Sequence, residues 1–301
     1  MKAAAVTRRK INGAGIGLRP VHIPYVLERR PAVAWFEILI DNYLYGDVRD
    51  SVRVLANLRA DYPMCFHAVG LDVGSVDPID AKLLDALNQR RRELEPDFVS
   101  THLCWTANGG VSHHDLLPLP FTQEAVRHCA ERIGRFQDAL GERILIENIS
   151  TYLRFAPAAA PATNEEAESQ EQEATAFMRE GKFIAAVAEA ADCYVLLDLN
   201  NLHINHHNHG DAPEDLDAFF ETIPAGRVRQ YHLAGYEDRG THLLDTHGAP
   251  VSSTVWKLFE RAVKTWGPQP ACIERDTDIP PDFSELMREA ETAGDYLKRC
   301  D

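Results

Sequence analysis

Eight short apolar, β-branched runs recur along this chain, separated by helix-patterned segments, and that rhythm leaves few folds open. The runs are 13–19, 35–40, 64–69, 97–103, 143–149, 194–200, 227–233 and 270–276. Between them, segments such as 77–94, 122–140 and 251–266 carry apolar residues at i, i+3, i+4, i+7 spacing, with charges on the opposite face. Eight strand-then-helix units in 301 residues predict an α/β protein, a closed (β/α)8 TIM barrel whose chemistry sits at the C-terminal strand ends. A chain of this length that is 45% hydrophobic fills one large core, so a single domain over 1–301 is expected.

Six of the eight runs carry a metal-ligand type of residue near the C-terminal end: His67, His102, Glu147, Asp198, His232 and Glu274. One strand-end histidine is commonly a hydrogen-bonded core residue; His67 and His102, on adjacent strands facing one mouth, read as ligands. Glu147 and Asp198 each close an apolar run, where burial without a counter-charge costs several kcal/mol. An Arg or Lys could serve either one alone, but an ion explains them together with His232 and Glu274. A bridging Glu147 would allow two ions about 3.5–4 Å apart. This makes Glu147, His232 and Asp198 the candidate catalytic residues.

The connection after the seventh run adds Asp245 and His247, a spacing that in extended backbone projects both side chains to one side. The tract 200–210, NNLHINHHNHG, is the densest His/Asn cluster. Of it, Asn201 could supply an amide oxygen to the centre, three residues after Asp198. His203, His206, His207 and His209 read as mouth-lining or surface residues, and His242 as solvent-facing or in contact with substrate. Glu147, Asp198, Asp245 and Glu274 carry four negative charges, enough for two divalent ions. A third ion would need further anionic ligands, such as a substrate thiolate, and should be bound most weakly.

A formal net charge of −15 argues against a nucleic-acid partner. No run is long and apolar enough for a membrane span or a secretory signal, which predicts a cytoplasmic protein without a membrane partner. The six cysteines form no CxxC pair, and Cys65, Cys104, Cys193 and Cys272 lie in or beside predicted strands as small buried apolar residues. Residues 155–178 are rich in Ala, Pro, Glu and Gln, with five acids and no basic residue before Arg179. Their composition predicts a flexible acidic insertion, a solvated loop or else a lid or partner-docking segment.

The motifs GIGLRPVH (15–22), FHAVGLDVGS (66–75), STHLCW (100–105), ILIENISTYL (144–153), LLDLNNLHINHHNHG (196–210), YHLAGYEDRGTHLLDTHG (231–248) and IERDTDIP (273–280) resemble the multinuclear non-heme iron-dependent oxidases, formerly DUF692. The resemblance runs from about residue 13 to 290. It implies a TIM barrel with two to three irons, mixed-valence Fe2+/Fe3+, using O2 as co-substrate. The implied substrate is a ribosomally made precursor peptide, modified most often at cysteine, and a small leader-binding partner protein often assists. Carried over by residue, one iron falls to His67, His102 and Glu147. A second shares Glu147 with Asp198, His232 and Glu274, and a third lies near Asn201, Asp245 and His247. Arg19 and the His113–His114 pair read as a structural ion pair and an exposed pair, or as anchors for a substrate.

Two other readings compete. Endonuclease IV-type and xylose-isomerase-like TIM barrels order similar ligands around divalent ions for hydrolysis or proton transfer. A metal-storage or scaffold protein would bind a peptide without changing it, although convergent ligands with open positions exceed what binding requires.

Overall fold

Strands form where Val, Ile, Leu and Phe concentrate, because branched and aromatic side chains fit a pleated surface buried on both faces. They are β1 (Ala14–Leu18), β2 (Phe36–Leu39), β3 (Met64–His67), β4 (Val99–His102), β5 (Leu145–Glu147), β6 (Tyr194–Asp198), β7 (Val228–Leu233) and β8 (Ala271–Ile273). In the computed structural model, which describes residues 10–155, 177–280 and 282–299, all eight pair in parallel and in sequence order, and β8 closes the barrel on β1. All eight expected strands are present, but shorter than the apolar runs. The run 143–149 stops pairing at Glu147 because the next side chain takes over: Asn148 Oδ1 accepts from the Asp198 amide and Nδ2 donates to the Asp198 carbonyl, both at 2.9 Å.

Helices cover the outside: α1 (Ile23–Arg29), α2 (Arg49–Asp61), α3 (Ala81–Leu94), α4 (Gln123–Leu140), α5 (Glu180–Ala190), α6 (Leu199–Asn208), α7 (Pro213–Thr222), α8 (Ser253–Trp266) and α9 (Ser284–Lys298). Their ends follow capping chemistry. Thr122 Oγ1 accepts from the Ala125 amide and Ser252 Oγ from the Val255 amide, while Gly141 ends α4 at φ +71°. The apolar stripe of α4, with Val126, Cys129, Ile133 and Phe136, is buried against the barrel. Among the described residues no helix is long and apolar enough to cross a membrane.

One feature departs from expectation. Residues Trp105–Asn108 and Val111–Leu117 form an antiparallel hairpin after β4, turned by Gly109 and Gly110 at positive φ, whose amides donate to Asp77. The acidic insertion expected at 155–178 falls mostly on 156–176, outside the described residues. Cys65, Cys104, Cys129, Cys193 and Cys272 are free and buried; Cys300 lies outside the described residues.

Side chains alternate along a strand, so the inward residue two before each strand-end group forms a lower layer: Cys65, Ser100, Leu145, Leu196, Gln230 and Cys272, all buried. Beneath them Trp35 packs with Ile11, Cys65 and Cys272. Gly15 makes room for this base, since a Cβ there would stand 2.3 Å from the Trp35 ring and 2.7 Å from its backbone oxygen. Gly15→Ala should therefore lower stability by about 1–3 kcal/mol, the usual range for overpacking. Thermal unfolding at the parent midpoint would contradict this packing.

Candidate metal centre

The upper layer gathers all six strand-end groups in one place. His67 Nε2 and His102 Nε2 stand 3.3 Å apart, and each is 3.5 Å from Glu147 Oε2. Ser100 sets the His67 tautomer. Its hydroxyl donates to the Phe66 carbonyl at 3.2 Å, so its oxygen accepts from His67 Nδ1 at 2.8 Å and leaves the Nε2 lone pair facing the mouth.

His232 lies fully buried between carboxylates. Its Nδ1 is 2.9 Å from both Glu147 Oε1 and Glu274 Oε2, yet without hydrogen-bonding geometry to either. Potential ligand atoms of His67, His102 and Glu147 lie within 4.8 Å of one another, as do those of Glu147, Asp198, His232 and Glu274. Glu147 belongs to both groups.

Asp198 has two duties. Its Oδ1 caps α6 by accepting from the Asn201 amide at 2.7 Å, which leaves Oδ2 free for the mouth. The strand read as 194–200 thus ends at Asp198, where the cap starts a helix through the His-rich tract. Asn201 Nδ2 donates to the Asn148 carbonyl at 3.1 Å, and its Oδ1 is buried without a partner.

His247 Nε2 is 3.0 Å from Asp245 Oδ1 and 3.6 Å from Asp198 Oδ2. The two residues meet without the extended backbone expected from their spacing, because His247 sits at φ +45°. Asp245 is also held by Ser150 Oγ at 2.7 Å and Asn200 Nδ2 at 3.2 Å. Another grouping emerges beside it, His247 with Glu274 and Asp276. Asp276 and Glu274 both pair with Arg19, so Arg19 is a structural ion-pair partner.

Electrostatics follows from burial. It pushes His67 well below its ordinary pKa and His102 down to about 4, so both present neutral imidazoles. Burial also pushes Glu147 up to about 7, against the pull of His232, and Asp198 well above the carboxylate range. Burial opposes charge on His232 and Glu274 too, but there mutual attraction prevails: Glu274, Glu37 and Glu147 raise His232 well above 6.5, and His232 with His247 holds Glu274 well below 4.5.

Glu147 Oε2, Asp198 Oδ2, Asn201 Oδ1, His232 Nδ1 and both nitrogens of His247 are buried without a hydrogen-bond partner. Each such atom is costly to leave unmade. Metal ions held by this imidazole and carboxylate set would satisfy them together, and no thiol is needed among the ligands. The residues fit a metal centre.

Other histidines stay outside it. His203 faces Tyr236 at 3.3 Å, His206 the Ala212 carbonyl at 3.1 Å and His209 Thr151 at 2.9 Å. His207, His113 and His114 are exposed, and His242 is half-buried beside Thr241. Sequence reasoning missed Asp276, two residues after Glu274, and Glu37. The signal for Glu37 was an acid in the middle of the apolar run WFEILI, whereas Glu147 closes one.

The model of a family described as RiPP precursor modification enzyme MbnB/TglH/ChrH matches residues 13–298. A UPF0276 protein of Acaryochloris marina (strain MBIC 11017) is 41% identical over 292 residues, covering 97% of each chain. Another from Anaeromyxobacter sp. (strain Fw109-5) is 38% identical over 291 residues, covering 97% of this chain and 94% of that one. Among solved structures, D-psicose 3-epimerase from Clostridium cellulolyticum H10 superposes with a TM-score of 0.57 at 11% identity over 96% of this chain and 99% of the other. Endonuclease IV from Thermus thermophilus gives 0.53 at 16% identity, over 95% and 99%. At such identities the likeness to these two is one of fold.

Proposed function

The chain belongs to the family of RiPP precursor modification enzymes MbnB/TglH/ChrH, and from that footing we propose that it is a multinuclear non-heme iron oxidase that uses O2 to modify a residue, cysteine first, of a ribosomally made precursor peptide. The protein is a TIM-barrel enzyme of a metal-dependent family, with clustered metal-ligand residues at its mouth.

The observation that carries the reading is the pair of ligand groups sharing Glu147, with unpartnered lone pairs turned into the mouth. In this reading His67, His102 and Glu147 hold one iron, and Glu147, Asp198, His232 and Glu274 a second. Asn201, Asp245 and His247 hold a third, weaker one. Iron bound there supplies dioxygen activation and an open position for a substrate thiolate. The protein's part is to hold the ligands rigid: Ser100 orients His67, the α6 cap orients Asp198, and Ser150 with Asn200 orients Asp245.

A peptide substrate draws support from the surface. The exposed large apolar side chains among the described residues, Val21, Tyr25, Tyr45, Val76, Val111, Tyr152, Leu153 and Phe155, all lie in connections leaving the C-terminal ends of β1 to β5. Apolar groups gathered on one rim suit a partner with apolar side chains, whether the precursor itself or a small protein presenting its leader.

The test has two parts. Anaerobically purified protein should contain two to three irons per chain, about the number the ligands above can hold, and incubation with a candidate precursor, O2 and reductant should change the peptide's mass. Zinc in that stoichiometry, with no activity gained on iron reconstitution, would turn the assignment toward hydrolysis or isomerisation. Iron without any change in several candidate peptides would favour a scaffold.

A further inference from the structure

Below the metal centre sits a carboxylate that the proposed reaction does not use. Glu37, on β2, is 1% exposed in the middle of the barrel interior. Its partners are all donors: Gln230 Nε2 at 2.6 Å, the Cys65 thiol at 3.4 Å and His232 Nε2, which lies 3.0 Å from Oε1 and 3.1 Å from Oε2. His232 therefore has carboxylates on both edges of its ring. Glu147 and Glu274 face Nδ1 from the mouth, and Glu37 faces Nε2 from below.

The two edges are not equivalent. On the mouth side Nδ1 has no hydrogen-bond partner although two carboxylates stand at 2.9 Å. On the lower side Nε2 stands 3.1 Å from Glu37 Oε2 and 3.1 Å from the Gln230 amide nitrogen, which itself donates to that same Oε2 at the shorter distance of 2.6 Å. With the Gln230 amide engaged by Glu37 and both Glu37 oxygens 3.0 and 3.1 Å from Nε2, the geometry favours the ring proton on Nε2, and a neutral imidazole protonated there keeps its lone pair on Nδ1.

We propose that Glu37 is a positioning residue for the metal centre: it accepts the Nε2 proton of His232, fixes the ring and its tautomer, and thereby turns the Nδ1 lone pair toward the ion shared with Glu147, Asp198 and Glu274. The inference rests on His232 being a ligand, as proposed above, but not on the metal being iron. Glu37 could itself be grouped with His232 and Cys272 as a ligand set. That grouping would need the nitrogen edge already engaged by the carboxylate and a thiolate at Cys272, whose buried thiol instead donates to the Ile273 carbonyl at 3.7 Å.

The test uses the full chain stripped of metal and titrated anaerobically with Co2+ as the probe. Loss of a carboxylate behind a ligating histidine typically costs about 10–100-fold in metal affinity. Glu37→Gln, which keeps volume and a weaker acceptor, should lie near the lower end, and Glu37→Leu near the upper. Both should shift the visible Co2+ spectrum at saturation, a readout a purely structural role would not move. Cys65→Ala, which touches Glu37 but not His232, should leave affinity and spectrum at parent values.

Should Glu37→Leu fail to fold, Glu37→Gln decides alone: parent affinity with a parent spectrum overturns the proposal. If Glu37→Gln weakens Co2+ binding while the native metal proves to be zinc, the oxidase reading fails and this inference stands. If iron-dependent peptide oxidation is found and Glu37→Gln binds Co2+ like the parent, the inference fails and the oxidase reading stands.

Discussion

Glu147→Ala is expected to abolish turnover and to lower the metal content of the protein. The carboxylate belongs to both ligand groups, with Oε2 toward His67 and His102 and Oε1 toward His232, so its loss takes one donor from each. Losing only a hydrogen-bond partner of a ligand costs about 10–100-fold; losing a shared donor should exceed that in activity. Misfolding can be separated from ligand loss by the sign of the linkage. In the metal-free protein burial pushes Glu147 up to about 7, above its unfolded value, so ionising it weakens the fold as pH rises through that window. Metal-free Glu147→Gln should then be at least as stable as the metal-free parent above about pH 7, while binding less metal. His206→Ala, whose ring faces only the Ala212 carbonyl, should leave both properties near parent values. Full activity in the Glu147→Ala variant would remove the shared-ligand assignment.

The barrel was legible because its signal is repeated. Eight apolar runs, each followed by an amphipathic helix, leave one architecture in which every strand buries both faces, and the strand-end residues of that architecture are the ones gathered at the mouth. What escaped was set by side chains that interrupt the repeat. Asn148 ends the β5 ladder with its amide, Asp198 turns a strand into a helix with its Oδ1, and His247 takes a left-handed backbone. None of these follows from periodicity: the Asn148 amide needs a partner 50 positions away, the Asp198 cap is a side-chain bond to the amide three residues on, and His247 is set by its own backbone conformation. Glu37 was missed for a related reason: it sits on the one strand among β2 to β8 without a ligand-type residue at its C-terminal end, and its meaning comes from His232, 195 positions away. Arg19, in contrast, was open to two readings until Glu274 and Asp276 were seen to hold it.

Metal removal should bring the largest loss of stability. Glu37, Glu147, Asp198 and Glu274 are all buried within one barrel interior. Arg19 reaches Glu274, but among the described residues the ion-pair partners of Glu147 and Asp198 are all histidines. Without ions these groups relieve their repulsion by holding protons or by strain, and the unpartnered oxygens of Glu147, Asp198 and Asn201 remain unsatisfied. An ion present at 1,000 times its Kd adds about 4 kcal/mol to the folded state, and for chains somewhat smaller than this one each kcal/mol moves Tm by roughly 2–4 °C. Two such ions should raise Tm by on the order of 10 °C or more over the chelated protein, with the gain restored when metal is returned. Unchanged Tm after complete removal, verified by elemental analysis, would mean that protons already neutralise the cluster and that metal is not what it is built to hold. In Glu147→Ala most of the metal-dependent gain should vanish, because both groups lose the donor they share; if the gain survived whole, the two ions would have to be held independently.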